Sequence, residues 1–198
     1  MRFFAVLLVI GLLGQPFAAA AEETAAVVQR WVSHPDKSEL KFTAMQEGAQ
    51  FSGQFHEFNV SLELLPADDG IGLLQISAGI QLASVDTQYQ DRDDYLVQQD
   101  WFYIDMWPRA VFQSSTIRQL GDSRYIADGT LSLRGVSQPV EVELELMLEA
   151  NGERGNLTGS ASINRLDFGV GQGEWASTEW VGDEVNISFD LRILRAFE

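Results

Sequence analysis

Residues 139–149, PVEVELELMLE, decide the fold class of this chain because apolar and polar side chains alternate through them. Every second residue from Val140 to Leu148 is apolar, and four of the others are glutamates. A β-strand points successive side chains to opposite faces, so the stretch predicts a strand with one apolar and one solvated face. At about 3.3 Å per residue this strand would be roughly 36 Å long. An apolar face of that length needs either a packing partner or a ligand.

The same alternation recurs along most of the chain after Trp31. Residues 91–98 break it: they are charged, lack period 2, and predict a short helix with acids in its first turn. About eight antiparallel strands that are each apolar on one side close most economically into a barrel or two packed sheets. The predicted fold class is therefore all-β. The further predicted strands cover residues 38–45, 50–64, 74–82, 110–119, 125–134, 157–163 and 184–197.

The first residues have the layout of a secretory signal peptide. A short positive start, Met1-Arg2, precedes an apolar run over residues 3–13 and small residues at positions 18–21. The pattern predicts cleavage of residues 1–21 and export, which leaves residues 22–198 as a single domain. We expect a periplasmic location. The apolar run is shorter than the roughly 20 residues that a membrane-spanning helix needs.

The charge of the chain excludes several partners. Its 13 Lys and Arg residues against 29 Asp and Glu residues give a formal net charge of −16. Such a chain repels phosphate backbones and anionic membrane surfaces, so we predict no nucleic-acid partner. The chain has no Cys and therefore forms no disulfide after export.

The search for catalytic motifs favours a protein that is not an enzyme and needs no cofactor. The two histidines, His34 and His56, lie far apart in sequence and have no neighbour at metal-ligand spacing. Nucleophile-elbow, zinc-protease and phosphate-loop motifs are not found. An enzyme acting on a lipid is a third hypothesis, and it would depend on the acidic segment at residues 91–94.

Five segments, in order, resemble signatures of the YceI family of lipocalin-like, polyisoprenoid-binding periplasmic proteins. The chain departs from the family pattern at Tyr95, where His is usual, and at Trp101, where Phe is usual. A tyrosine can donate a hydrogen bond but does not titrate near neutral pH. The segments are residues 92–96 with 100–102 (RDDYL and DWF), Pro108 with Phe112 and Ser114, residues 129–140 (GTLSLRGVSQPV), residues 164–169 (NRLDFG) and residues 181–185 (VGDEV).

The resemblance implies an extended, eight-stranded, lipocalin-like antiparallel barrel whose bore holds a long isoprenoid chain. A polyprenyl quinone or polyprenyl phosphate would be the ligand, for storage or transport. Phe42 and Ile76, on apolar strand faces, are the predicted lining residues, and we also expect Val142, Leu144 and Leu146 to contact the ligand. The resemblance allows a homodimer, although no stretch of the sequence requires one.

Two hypotheses compete for the apolar faces. Small residues among the large ones, namely Ala78, Gly129, Gly159 and Ala161, favour an open bore. The alternative is a filled core in an interaction module whose acidic surface binds a membrane redox or stress-response partner.

Individual features near the middle and end of the chain also have two interpretations. Arg92 and Asp93 would orient a ligand head group or form a salt bridge that ties the helix to a strand. The same two interpretations apply to Arg165 and Asp167. Residues 101–103 (WFY) would line the pocket entrance or plug one barrel end. Trp175 and Trp180, next to a glycine-rich loop, would act as a lid.

Overall fold

The computed structural model describes residues 27–67, 70–150 and 152–196, and the predicted signal peptide lies outside them. Within these ranges, eleven strands and one α-helix follow one another. The helix, α1, confirms the predicted helical segment with bounds shifted by one or two residues. The bounds are β1 Gln29–Ser33, β2 Glu39–Gln46, β3 Ala49–Phe55, β4 Phe58–Ala67, β5 Gly70–Gln81, β6 Val85–Asp86, α1 Gln90–Leu96, β7 Arg109–Gln119, β8 Arg124–Leu133, β9 Val136–Leu148, β10 Arg154–Asn164 and β11 Glu184–Arg195.

Eight of the strands close into an antiparallel barrel. They follow the order β1, β4, β5, β7, β8, β9, β10 and β11, and β1 pairs with β11 to complete the ring. The closing register joins Trp31 to Arg195 and Ser33 to Ile193. Strands β2, β3 and β6 continue the sheet from the other end of β11. The predicted eight-stranded, lipocalin-like antiparallel barrel is confirmed.

Two tight hairpins have the backbone conformation that a two-residue turn requires. Glu47 and Gly48, between β2 and β3, have φ values of 50° and 77°, and Arg134 and Gly135, between β8 and β9, have 53° and 74°. Positive φ at both turn residues matches the twist of the flanking strands, and glycine adopts it without a steric penalty. The turns predicted at Gly48 and Gly135 are confirmed.

Strand β9 begins three residues before the alternating stretch and contains all of it except Glu149. Val142, Leu144 and Leu146 are buried, whereas Glu141 and Glu143 are exposed. The predicted division into an apolar inner face and a solvated outer face is confirmed.

The alternation predicted for residues 74–82 is wrong at its first residue. The register between β4 and β5 shifts next to Leu64, which pairs with Leu73. A bulge of this kind moves the following side chains to the opposite face. Leu73 is therefore buried, with 5% exposure, and Leu74 is 47% exposed.

The barrel interior differs between its two ends. At one end, which we call the filled end, Trp31, Leu62, Leu64, Leu157 and Ile193 are completely buried. At the other end, the hollow end, inward-facing residues of β11 such as Val185, Ile187 and Phe189 are only half-buried. An inward-facing side chain that keeps accessible surface lies beside unfilled space.

Candidate ligand-binding cavity

The hollow end encloses an apolar cavity with a volume of about 200 Å³. Its accessible surface is entirely apolar, and all but three of its lining residues are aliphatic or phenylalanine. An apolar cavity of about 150 Å³ can stay dry and bind benzene, so this one is large enough for an apolar ligand group. The three exceptions are Lys41, Trp101 and Arg165.

The cavity is long and narrow. On β11 its lining runs through every inward-facing residue from Val185 to Leu191. Six residue steps of about 3.3 Å make this wall about 20 Å long. A small volume spread over that length suits a linear chain better than a bulky ring system.

Alanines, rather than glycines, leave the space open. Ala78 and Ala161 line the cavity, as the sequence predicts. Gly129 and Gly159 do not, because the rings of Phe112 and Phe189 lie over them, in the positions where added Cβ atoms would fall. The prediction that these two glycines widen the bore is therefore wrong. They accommodate aromatic rings against the wall of the barrel.

A cap closes the hollow end. It consists of α1 with the segment that follows it, residues 97–107, and the long loop at residues 165–183. The two parts are joined by hydrogen bonds of 2.8 Å from the backbone N–H groups of Gly171 and Gln172 to the carbonyl oxygen of Asp100. Leu96, Trp101 and Phe102 are buried and contribute to the cavity wall. Two residues of the predicted aromatic segment, Trp101 and Phe102, thus line the cavity from within the cap.

Arg165 holds the long loop of the cap together. Its side chain is 3% exposed, and Nε donates to the carbonyl oxygen of Gly182 at 2.9 Å. The two terminal nitrogens donate to four more backbone carbonyls, those of Val170, Gly171, Trp175 and Val181. All five N–H groups of the guanidinium are therefore used inside the protein. Burial lowers the pKa of Arg165, and the nearby Asp183 carboxylate partly offsets this effect.

Aromatic rings connect the outer surface to the cavity wall. Tyr95, 51% exposed, lies with its ring centroid 6.0 Å from that of Trp175. Trp175 is half-buried and lies 5.7 Å from Trp101, the innermost of the three rings. The guanidinium carbon of Arg165 is 5.7 Å from the centroid of Trp101. The lid role expected for Trp175 and Trp180 stays a prediction; the carbonyl of Trp175 is held by Arg165, and Trp180 is 56% exposed.

Arg92 and Asp93 form separate contacts. Asp93 Oδ1 accepts hydrogen bonds from the backbone N–H and hydroxyl of Thr87, at 2.9 and 2.7 Å, and so ties α1 to the end of β6. The guanidinium carbon of Arg92 lies 4.0 Å from the ring centroid of Phe51, which lines the cavity. Arg92 is not itself a lining residue. Asp93 therefore ties the helix to the strand through hydrogen bonds with Thr87, and the predicted salt bridge is not among the ion pairs of the described residues.

The sequence-predicted lining residues are only partly brought together. Phe42, Ile76 and Val142 line the cavity, although their contact with a ligand stays a prediction. Leu144 and Leu146 are buried at the filled end and do not line the cavity, and their contact with a ligand stays a prediction. The partners of Arg165 were not predicted: the sequence suggests a head-group contact or a salt bridge, whereas its five partners are backbone carbonyls that leave no side-chain signal in the sequence.

A surface contact between His56 and Asp86 lies outside the hollow end. The Asp86 carboxylate is 3.1 Å from His56 Nε2 and accepts a hydrogen bond from the backbone N–H of Gln88 at 2.7 Å. The hydrogen bond with His56 is the largest cause that lowers the pKa of Asp86, and the Gln88 bond acts in the same direction. This contact links β3 to β6 on the protein surface.

Within the described ranges, no three His, Asp or Glu side chains come together as a metal site would require. The same part of the chain contains no helix that is both long and apolar enough to cross a membrane.

Together these features define a small β-barrel that encloses an elongated apolar cavity under an aromatic cap. The model of the YceI-like domain family matches residues 31–193, and the chain belongs to this family. The match spans the barrel and the cap.

Curated relatives support this membership over part of their length. The chain is 32% identical over 123 residues to a UPF0312 protein of Photorhabdus laumondii, covering 59% of this chain and 61% of the relative. It is 33% identical over 125 residues to a UPF0312 protein of Pseudomonas paraeruginosa, covering 60% and 62%. The chain thus spans about three fifths of the length of these relatives.

Solved structures share the fold. BcnA of Burkholderia cenocepacia superposes with a TM-score of 0.74 at 29% identity, covering 81% of this chain and 98% of that chain. A YceI protein of Campylobacter jejuni gives 0.63 at 24% identity, with 74% and 85% coverage. A polyisoprenoid binding domain from Saccharophagus degradans gives 0.61 at 16% identity, with 84% and 98% coverage.

Proposed function

We propose that this protein is an exported lipid-binding protein that encloses the chain of an isoprenoid lipid in the hollow end of its barrel, for storage or transport in the periplasm. The observation that carries the proposal is the cavity itself: elongated, wholly apolar at its surface, and covered at one end by a cap. The ligand is an isoprenoid with a quinone or phosphate head group. The protein acts by binding and does not catalyse a reaction.

The energetics favour a ligand that is mostly hydrocarbon. Transfer of each CH₂ group from water to an apolar site is favourable by about 0.8 kcal/mol. A chain that fills the cavity would therefore bind tightly with few polar contacts. The name of the Saccharophagus degradans domain agrees with such a ligand. At that level of identity it supports the fold, and the choice of ligand rests on the cavity and on the resemblance of the sequence to the YceI family.

The competing interaction module requires a completely filled interior. The filled end meets that requirement, whereas the hollow end does not, because alanines and half-buried residues border open space there. The proposal also includes a membrane redox protein as a partner of the acidic surface, and assembly of the chain into a homodimer.

The test is organic extraction of the purified, exported protein, followed by mass spectrometry. We expect an isoprenoid to be released in a fixed ratio to protein. Lipid-free protein that also takes up neither polyprenols nor isoprenoid quinones would contradict the proposal. Release of straight-chain fatty acids alone would retain the cavity as a lipid site and overturn the isoprenoid assignment.

A matched pair of variants on β10 tests whether the cavity is the site. Ala161 lines the cavity, and its neighbour Ser160 is exposed on the outer face of the same strand. We expect Ala161→Phe to fill the cavity and reduce the extracted lipid, while Ser160→Phe leaves it unchanged. Equal retention by both variants would place the lipid elsewhere on the molecule.

A further inference from the structure

The wall of the barrel has a gap in its backbone ladder beside the cavity. Pairing between β2 and β3 ends at Phe55, and pairing between β1 and β4 begins at Ser61. Residues 56–60, between these points, lie opposite residues 34–38, which contain a 3-10 turn instead of a strand. Neither ladder covers this interval, which we call the side gap. A wall that lacks a continuous ladder can be parted there at a lower cost than elsewhere.

A polar cleft with a volume of about 760 Å³ lies on the outer side of the side gap. Residues 35–39 border it from one side of the gap and residues 54–56 from the other. At the far edge of the gap, the backbone N–H of Val60 donates to the hydroxyl of Ser33 at 2.9 Å. All but two of the residues that line the cleft are polar or charged, so the cleft suits a polar group.

The side chain of Phe55 stands between the cleft and the cavity. Phe55 lines both spaces, and no other residue in the described part of the chain does so. Its side chain is half-buried, and its ring centroid lies 5.6 Å from that of Phe42 and 6.0 Å from that of Phe102. Both of these residues line the cavity. A rotation of the Phe55 ring would therefore join the two spaces.

Strand β11 shows where along the cavity the two spaces adjoin. The inward-facing Leu191 ends the cavity wall on this strand, and the cleft borders its outward-facing neighbours, Asp190 and Arg192. The long loop of the cap leads into β11 at the opposite end of the same wall, next to Val185. A chain that enters through the side gap would therefore extend along the cavity toward the cap.

A polar head group is disfavoured inside the cavity. The accessible surface of the cavity contains no polar atom, so a head group there would lose its hydrogen bonds to water without replacement. The cleft, in contrast, presents the exposed side chains of Lys37, Glu39 and His56. A ligand that spans both spaces would bury its tail and keep its head group hydrogen-bonded.

We propose that the side gap is the entrance of the cavity, that the isoprenoid tail passes Phe55 as its ring turns aside, and that the polar cleft holds the head group. The inference rests on the proposed function and deepens it. It leaves the cap in place during entry, in agreement with the five backbone carbonyls of the long loop that Arg165 binds.

Entry through the cap is the competing route, and Phe51 provides the matched control. Phe51 and Phe55 both lie on β3, face the same way, are half-buried and line the cavity. Their ring centroids lie 6.2 and 5.6 Å from that of Phe42. Phe51 does not line the cleft, and the guanidinium carbon of Arg92, in the cap, lies 4.0 Å from its ring centroid. Loss of either ring removes a similar contact with a bound chain, but loss of Phe55 alone removes the barrier at the side gap.

The experiment measures how fast delipidated protein takes up geranylgeraniol that carries an anthraniloyl group on its hydroxyl. Energy transfer from tryptophan, followed by stopped flow, reports the association. We expect Phe55→Ala to raise the association rate constant about tenfold, because no ring has to move before the tail enters. Phe51→Ala should change the rate constant less than about twofold. Acceleration by Phe51→Ala alone, or equal rate constants in the two variants, would overturn the inference.

A second measurement requires only the wild-type protein. Geranylgeraniol that carries a nitroxide on its hydroxyl should broaden the amide resonances of Lys37 and Gln54, beside the cleft, more than those of Tyr95 and Trp175 in the cap. Stronger broadening in the cap would overturn the inference and keep the proposed function, because the ligand would still be bound. Failure of the wild-type protein to take up either labelled probe or unlabelled geranylgeraniol would overturn both.

Discussion

The two ends of strand β11 use the same alternation of side chains and produce different interiors. Ile193, at the filled end, is completely buried between neighbours, whereas Ile187, six residues earlier and facing the same way, is half-buried beside the cavity. Periodicity determines which side chains point inward. The size of the residues on the opposite strands determines whether the inward-pointing side chains meet across the barrel. Trp31 is completely buried and fills space at the filled end, whereas alanines such as Ala161 leave the hollow end open.

The largest difference between the two ends should appear in stability. We expect Ile193→Ala to lower the free energy of unfolding by about 3 kcal/mol, because a close-packed site cannot collapse around the lost atoms. Ile187→Ala should cost about 1 kcal/mol, since that side chain already borders open space. Urea denaturation of the delipidated protein measures both, and equal costs would remove the distinction between the ends.

The stability of the cap should depend on Arg165 more than on an arginine at the protein surface. Arg165→Met leaves five carbonyl groups of the loop without their donor, and we expect a loss of about 2 kcal/mol, limited because the loop can open to water. Limited proteolysis should then cut within residues 170–182. Arg118, about half exposed and paired with Asp128 and Glu141, is the control. Its change to Met should cost less than about 1 kcal/mol. Equal losses of stability and equal proteolysis in Arg165→Met and Arg118→Met would contradict the role of Arg165.

A single methyl group added to the wall of the hollow end should destabilise the protein. In Gly159→Ala the new Cβ would collide with the ring of Phe189 and with the carbonyl oxygen of Glu143. We expect destabilisation of about 1–2 kcal/mol and weaker lipid binding, because the displaced ring moves into the cavity. Gly121→Ala, at a site with open space, should change stability by less than about 0.5 kcal/mol. Unchanged stability in Gly159→Ala would show that the position of the Phe189 ring does not depend on a glycine at residue 159.

The smallest effect concerns the surface contact between His56 and Asp86. The pKa of Asp86 is lowered below 3.8 in the folded protein, so its contribution to stability is present above that pH and is lost as pH falls through the folded value. We expect His56→Ala to raise the Asp86 midpoint in an NMR titration, whereas His34→Ala leaves it unchanged. An unmoved midpoint in His56→Ala would show that the hydrogen bond is not formed in solution.

Much of the fold could be predicted from the sequence because it rests on local patterns. The alternation in β9, the helix at α1 and the positive-φ turns at Gly48 and Gly135 each follow from neighbouring residues. The bulge beside Leu64 could not be predicted, because one slipped residue changes the register of a pair and leaves no signal in either strand.

The candidate site was harder to predict because it depends on contacts between distant segments. Phe42 and Ile76 could be assigned to inner faces, and both line the cavity. Whether Leu144 meets protein or open space depends on what stands across the barrel. Glycines on the inner faces predict an open bore, yet the ring of Phe189, on the next strand, lies directly over Gly159. The five carbonyls that bind Arg165 belong to the backbone, which residue type does not reveal.

The central claim is that the hollow end of the barrel holds an isoprenoid chain, whereas the filled end is close-packed with side chains. Methyl NMR of isoleucine-labelled, delipidated protein titrated with geranylgeraniol tests it most directly. We predict that the δ1 methyl resonances of Ile76, Ile163 and Ile187, which line the cavity, shift and show cross-relaxation with the ligand, while that of Ile193 stays unchanged. Shifts at Ile193 as large as those at Ile187, or no ligand contact at any lining isoleucine, would contradict the account.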